Sequence, residues 1–271
     1  MPLVDIGANL THESFGHDLA AVLARAQAAG VAQIVVTGAS AEGARAALEL
    51  ARAHPGILYA TAGVHPHHAT DYTAETEELL DTLLREPEVR AGGETGLDYF
   101  RDYSPRAAQR FAFERQIELA IAARKPLFLH QRDAHEDFIA IVRAARDRIG
   151  RAVVHCFTGD RRELHDCLDL DLHIGITGWI CDERRGQHLR ELVREIPAGR
   201  LMLETDAPYL LPRNLAPKPS HRRNEPCFLP HIAAAVARDR GESLEQLAAH
   251  ASATARAFFD LPADIDIAPP L

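Results

Sequence analysis

Residues of metal-binding type stand at the ends of short apolar runs that lie far apart in the chain. PLFLH (126–130) ends in His130, AVVH (152–155) in His155, and LMLETD (201–206) in Glu204 and Asp206. The run Val89–Gly92 leads into Gly93 and Glu94, and Leu58–Val64 leads into His65, His67 and His68. Val4–Ile6 carries Asp5, with Asn9 beyond it. One histidine or carboxylate in such a place is ordinarily hydrogen-bonded or solvated. Two histidines, a glutamate and an aspartate at the same point of four separate units are a different matter. Gathering ionisable groups without a partner is costly, and a divalent cation offsets that cost. Imidazole plus carboxylate suits Zn²⁺, Mn²⁺ or Mg²⁺ and argues against an iron–sulfur cluster. A carboxylate such as Glu94 can bridge two ions. Two ions about 3.5–4 Å apart can activate a water and stabilise the leaving oxygen of a phosphodiester. The pattern indicates a metal-dependent hydrolase with one or two ions and leaves the substrate open.

For these residues to meet, the runs must be parallel strands whose C-terminal ends share one face. The eight runs are Val4–Ile6, Ile34–Thr37, Leu58–Val64, Val89–Gly92, Pro126–His130, Ala152–His155, Leu172–Ile176 and Leu201–Leu203. They are continuously apolar, as strands covered on both faces are. Stretches of helical period follow most of them, among them His17–Ala29, Ala41–Ala53, Thr73–Arg85 and Pro105–Ala123. Ala134–Ile149, Asp160–Cys167, Gln187–Glu195 and Leu229–Arg238 continue the series. Eight strand–helix units in 271 residues fit one α/β domain over 1–271, a closed (β/α)8 TIM barrel with its site at the C-terminal mouth. A doubly wound open sheet is the alternative, weakened because DIGANL after the first strand is not a Gly-rich phosphate loop. The stretch Ala207–Pro230 holds six prolines, so it cannot be one helix, and a loop that long is usually functional.

Composition narrows the classes. Hydrophobic residues make up 46% and charged residues 25% of the chain. Those shares are ordinary for a soluble globular protein. The formal net charge of −9 opposes a dedicated basic-surface nucleic-acid binder, but not an enzyme that meets phosphate through metal and a few arginines. The four cysteines lack C-x-x-C spacing and read as reduced thiols. The chain shows no signal peptide and no apolar run of membrane-spanning length. A cytoplasmic protein without membrane contact is expected.

Several segments carry a family resemblance: DIGANL (5–10), AGVHPH (62–67), GETGLDY (93–99), LHQRDAH (129–135) and HCFTG (155–159). GITGWICDERRG (175–186), LETDAPYLLPR (203–213) and KPSHRRNEP (218–226) complete it. ETDAPYL with RNEP is highly specific. The chain resembles the TatD family of metal-dependent deoxyribonucleases nearly end to end, and the 175–186 stretch is similar to the TatD branch itself. The resemblance implies a TIM barrel that hydrolyses DNA with a divalent metal, often as a 3′→5′ exonuclease, with single strands preferred. It implies Glu94, His130, His155 and Asp206 as metal ligands, with Glu94 bridging. No required protein partner is evident, and a monomer is expected.

On that footing His130, His155 and Glu94 hold one ion. Glu94 and Asp206 hold the other, with waters and Asp5 or Asn9. Asp206 is the candidate general base. Glu204 orients a ligand or meets a terminal hydroxyl, and His65 contacts the scissile phosphate or is a structural turn residue. Arg132 suits bidentate phosphate binding, unless it pairs with Asp133 or Glu136. Arg222, Arg223 and Lys218 could form a basic rim, and Tyr99 and Phe100 could stack on a base. Many relatives read D-x-H-x-H where this chain has Asp5, Gly7 and Asn9, so two imidazoles are missing. Unequal occupancy is expected: one tight ion, and a weaker one in oxygen-rich surroundings that favour Mg²⁺ or Mn²⁺ over Zn²⁺. Restoring histidine at 7 and 9 is expected to tighten the weaker site. Two other classes are weighed: an amidohydrolase-like enzyme for a small amide, ester or lactone, and a binding protein that has lost catalysis.

Overall fold

A computed structural model describes residues 2–263; Met1 and residues 264–271 of the expected 1–271 domain lie outside the described residues. Eight parallel strands are hydrogen-bonded in sequence order: β1 (Leu3–Ala8), β2 (Val31–Val36), β3 (Leu58–Ala62), β4 (Val89–Asp98), β5 (Leu127–Arg132), β6 (Ala152–Val154), β7 (His173–Ile176) and β8 (Leu201–Leu203). An open doubly wound sheet is excluded, because the ends of β1 and β8 meet. Ala8 bridges Ala207, the Asn9 amide donates to the Ala207 carbonyl at 2.6 Å, and the Asp206 amide donates to the Gly7 carbonyl at 2.8 Å.

Helices alternate with the strands: α1 (Leu19–Ala28), α2 (Ala41–Ala53), α3 (Ala74–Leu84), α4 (Arg106–Ala123), α5 (His135–Ala145), α6 (Arg161–Asp169), α7 (Gln187–Leu192) and α8 (Leu229–Arg240). Local chemistry sets their starts. Ser40 and Thr73 accept the amides of Gly43 and Thr76, and Asp160 with Glu163 forms a capping box. Within the segment 207–230 the only helical structure before α8 is the 3₁₀ turn Pro226–Phe228.

Two features differ from the sequence reading. β4 runs on through Asp98, because GGETGLD pairs with β5 (Thr95 with Leu129, Asp98 with Arg132) after a register shift past Gly92. A further helix, α9 (Leu244–Phe259), follows α8, with Ser243 and Gln246 forming its capping box. α9 closes the barrel floor. Ala255, Phe258 and Phe259 join Val4, Ile6, Val35, Tyr59, Phe128 and Met202 in an inner core distinct from the larger strand–helix layer. The Phe128 ring stacks on His155 at 4.5 Å, so this core also supports the mouth above it.

Candidate active site

Glu94 is the hub of the mouth. Its Oε1 lies 2.8 Å from His155 Nε2, 3.0 Å from His130 Nδ1 and 3.3 Å from His65 Nε2. Glu94 stands on β4, His130 on β5, and His155 and His65 just past β6 and β3, so the barrel brings together what the chain holds apart. Asp98, to which the sequence reading assigns no role, extends the cluster. Its Oδ2 lies 2.8 Å from His67 Nε2 and 3.4 Å from His130 Nε2. The available signal is strand alternation, which sets Asp98 on the same face as Glu94 once β4 is known to continue.

Tautomers sort the imidazoles. His65 Nδ1 accepts the His67 amide at 3.0 Å, so its Nε2 bears the proton and donates toward Glu94. Although His65, Glu94 and His130 offer atoms within 4.8 Å of one another, His65 is thereby an N–H donor rather than a lone-pair donor. His155 is the opposite case. Its Nδ1 faces Glu204 Oε2 at 3.3 Å. That leaves Nε2 for a cation in the carboxylate–histidine–metal manner. His130 Nε2 is buried without a hydrogen bond of good geometry.

Below this plane, Glu204 is fully buried and also accepts the Cys156 amide. Its space exists because two neighbours have no side chain. A Cβ at Gly7 would stand 2.5 Å from Glu204 Oε2, and one at Gly175 2.7 Å from Oε1. Asp206 Oδ1 accepts Asn9 Nδ2 at 3.1 Å. Asp5 is not free to ligate. Its oxygens accept Thr205 Oγ1 (2.5 Å), the Thr205 amide (2.9 Å) and the Gly7 amide (3.3 Å), so it braces the end of β8 against β1.

The field of the mouth calls for positive charge. Burial opposes ionisation of Glu94, but facing His65 and His155 outweigh it and hold the carboxyl well below its usual range. Burial likewise opposes charge on His155, yet Glu94 and Glu204 raise its pKa well above normal. Burial drives the His65 pKa well down, against Glu94 and with help from His130 and His67. Burial raises Asp206 to about 8, against the opposing His155 and with Glu94 and Glu204 adding to it. Among the described residues, no Lys or Arg side chain pairs with Glu94, Asp98, Glu204 or Asp206. Four carboxylates without a fixed cation, two imidazoles with ring nitrogens aimed inward, and one buried nitrogen without a partner form a donor set that fits a divalent ion.

The outer residues divide. Arg132 pairs with neither Asp133 nor Glu136; its guanidinium lies over Phe100 (4.3 Å) and Trp179 (5.2 Å). Arg222 is exposed on the wall of a cavity beside the mouth. Arg223 is a correction to the expected basic rim. It is held by Asp18 (2.7 Å), Glu225 (2.7 Å) and the Ser14 carbonyl, because it ties the Pro-rich segment to the start of α1. Tyr99 is a second correction. Its hydroxyl donates to Asp137 at 2.6 Å and its ring is covered by Arg106, whereas Phe100 is 53% exposed.

The family model for TatD related DNase matches residues 4–260. A protein of Erwinia tasmaniensis named 3′-5′ ssDNA/RNA exonuclease TatD is 51% identical over 259 residues, 96% of this chain and 100% of that one. One of the same name from Edwardsiella piscicida is 52% identical over the same shares. Among solved structures, a TatD homologue from Escherichia coli k12 superposes with a TM-score of 0.87 at 28% identity, covering 96% of this chain and 98% of its own. A TatD family hydrolase from Entamoeba histolytica gives 0.84 at 26%, covering 97% and 99%.

Proposed function

The chain belongs to the TatD-related DNase family, and from that membership we propose that it is a metal-dependent hydrolase that shortens single-stranded DNA from the 3′ end. The observation that carries this is Glu94 Oε1 within 3.3 Å of three imidazoles in a mouth with no fixed cation. Glu94, His130 and His155 would hold one ion, and Glu94 with Asp206 a second, weaker one. Mg²⁺ or Mn²⁺ suits the oxygen-rich side and Zn²⁺ the imidazole side. Bound metal would supply Lewis-acid activation of water and charge neutralisation at the leaving oxygen.

The chain's own groups do the rest. Asp206, with one oxygen held by Asn9, offers the other to take a proton from the attacking water. Glu204 fixes the ring of His155. The His65 Nε2 proton, 3.3 Å from Glu94 Oε1, would orient that carboxylate for a cation. Arg132, stacked rather than ion-paired, keeps its N–H edge for phosphate. Residues 2–263 act as one domain. Four free thiols support a reducing, cytoplasmic setting. No helix of the described residues is long and apolar enough to cross a membrane.

The amidohydrolase-like reading is not favoured. An N-isopropylammelide isopropylaminohydrolase superposes with a TM-score of 0.59 at 13% identity. A likeness that distant speaks for fold alone. The test is a 3′-tracking assay on 5′-labelled single-stranded oligonucleotide with Mg²⁺ or Mn²⁺, beside a panel of amides and esters. A ladder shortened from the 3′ end and abolished by EDTA is expected. Cleavage that survives full chelation, or turnover of an amide instead, overturns the reading.

A further inference from the structure

Five side chains stack in alternation along the rim of the mouth. Arg101 lies over Phe100 (5.6 Å to the ring centre), Phe100 against Arg132 (4.3 Å), Arg132 against Trp179 (5.2 Å), and Trp179 against Arg185 (4.3 Å). The column starts in the loop after β4, crosses the end of β5, and ends in the 3₁₀ turn and loop after β7. It therefore spans the side of the barrel where His130 and His155 stand. Cation–π contact holds each guanidinium against a ring, and Arg185 is held in addition through its N–H groups by Asp182 at 3.0 Å. Arg101 and Arg132 form no ion pair among the described residues, and half of Phe100 is bare.

The far end of the column opens into a cavity of about 420 Å³. That is room enough for one nucleotide, within the usual range of small-molecule sites. Trp179 and Arg185 belong to both column and cavity. The opposite wall is the Pro-rich segment, which contributes Arg213, Lys218 and Arg222. Among the described residues Asp182 is the only carboxylate lining the cavity, and it is already held by Arg185 at 3.0 Å. Arg213 has only long contacts of 3.8 Å to Asp182 and Glu183. Such a concentration of cations is local, since the whole chain carries −9. Aromatic faces beside fixed cations are what a single strand needs: bases stack and phosphates meet N–H edges.

We propose that the column and the cavity form one track for the retained part of a single strand, the nucleotides 5′ of the bond being cut. This rests on the 3′→5′ exonuclease reading, in which the terminal nucleotide sits at the metal centre and the strand must leave across the rim. The consequence is a length requirement. A dinucleotide places only one nucleotide on the track, while a decamer fills it.

The test compares dT2 and dT10 as substrates of the full, metal-loaded chain. The wild type is expected to show kcat/KM at least about tenfold higher for dT10, from stacking of one or more bases. Phe100→Ala should collapse that ratio toward one by raising KM for dT10, and Phe100→Tyr should restore it. The triple variant Arg213→Ala, Lys218→Ala, Arg222→Ala should flatten the dependence of log(kcat/KM) on log salt by about two, near 0.7 per phosphate contact on a single strand. Equal kcat/KM for the two lengths in the wild type, or an unchanged ratio and salt slope in the variants, overturns the track and leaves the nuclease reading standing. If neither oligomer is cut, the nuclease reading fails and fluorescence anisotropy of labelled dT10 still reads the track. Binding that both variants weaken upholds it, and binding that neither changes overturns it.

Discussion

At position 7 a side chain would have to displace its neighbours. A Cβ there would press on Glu204 Oε2 at 2.5 Å and on the Phe128 ring at 3.0 Å, and Glu204 is sealed in place by His155 and the Cys156 amide. Taken from the sequence alone, Gly7 and Asn9 are two missing ligands, and histidines there should tighten the weaker ion. The geometry reverses this at position 7: a histidine would displace the carboxylate that orients His155. At position 9 it would remove the amide that holds Asp206. Gly7→Ala is therefore expected to lower kcat by roughly tenfold or more, the usual effect of disturbing a group behind a metal ligand. Bound metal per chain, measured by mass spectrometry on the same preparation, should fall with it. Full activity and full metal content in Gly7→Ala would show that Glu204 has room to spare. Residue types are readable from the sequence at this scale; directions are not. Phe100 and Tyr99 are adjacent and chemically alike, yet one faces solvent and the other bonds Asp137. Asp98 lies within a family motif but joins the site only because β4 continues past Glu94.

The strands and most helices are legible as elements, because parallel strands buried on both faces and amphipathic helices leave different periods. What the period does not show is where β4 ends, since glycines and polar residues read as a loop until β5 pairs with them. α9 escapes a count of eight units that is complete without it, although Ser243 with Gln246 and an apolar face mark it. Its role is in packing. Phe259 is fully buried beside Phe258 at 4.6 Å and under Phe128 at 6.5 Å. Phe259→Ala should cost about 3–5 kcal/mol in urea-induced unfolding, the usual loss for a core aromatic. A loss below about 1 kcal/mol would mean that α9 does not seal the floor. The Pro-rich segment is tied to α1 by Arg223, which bonds Asp18, Glu225 and the Ser14 carbonyl. Arg223→Ala should lower stability by roughly 2 kcal/mol, as partners of a mostly buried cation are left unpaired. The salt dependence of catalysis in this variant should stay that of the wild type. A normal melting temperature with a flatter salt slope would return Arg223 to the nucleic-acid surface.

Over the whole molecule, charge is divided by place rather than averaged: carboxylates and imidazoles fill the mouth, arginines line one rim, and the total is negative. The total is readable from composition and the division is not, because it depends on which loops the barrel sets side by side. The floor adds a pH dependence independent of the mouth. His173 begins β7, packs edge-on against Phe258 at 4.9 Å, and lies 3.4 Å from Arg200. Burial, assisted by the Arg200 charge, lowers its pKa to about 4. Unfolded chains bind that proton near pH 6.5, so between about 6.5 and 4 the unfolded state holds more protons than the folded one. Stability from this residue is thus complete above about pH 6.5 and is lost as pH falls toward 4. Between pH 7 and pH 5 the loss amounts to roughly 2 kcal/mol. Urea unfolding of wild type and His173→Leu at both pH values isolates it, since the other histidines contribute alike to the two proteins. The wild type should lose about 2 kcal/mol more than the variant on acidification. Equal losses would mean that His173 is protonated in the folded barrel as readily as in the unfolded chain.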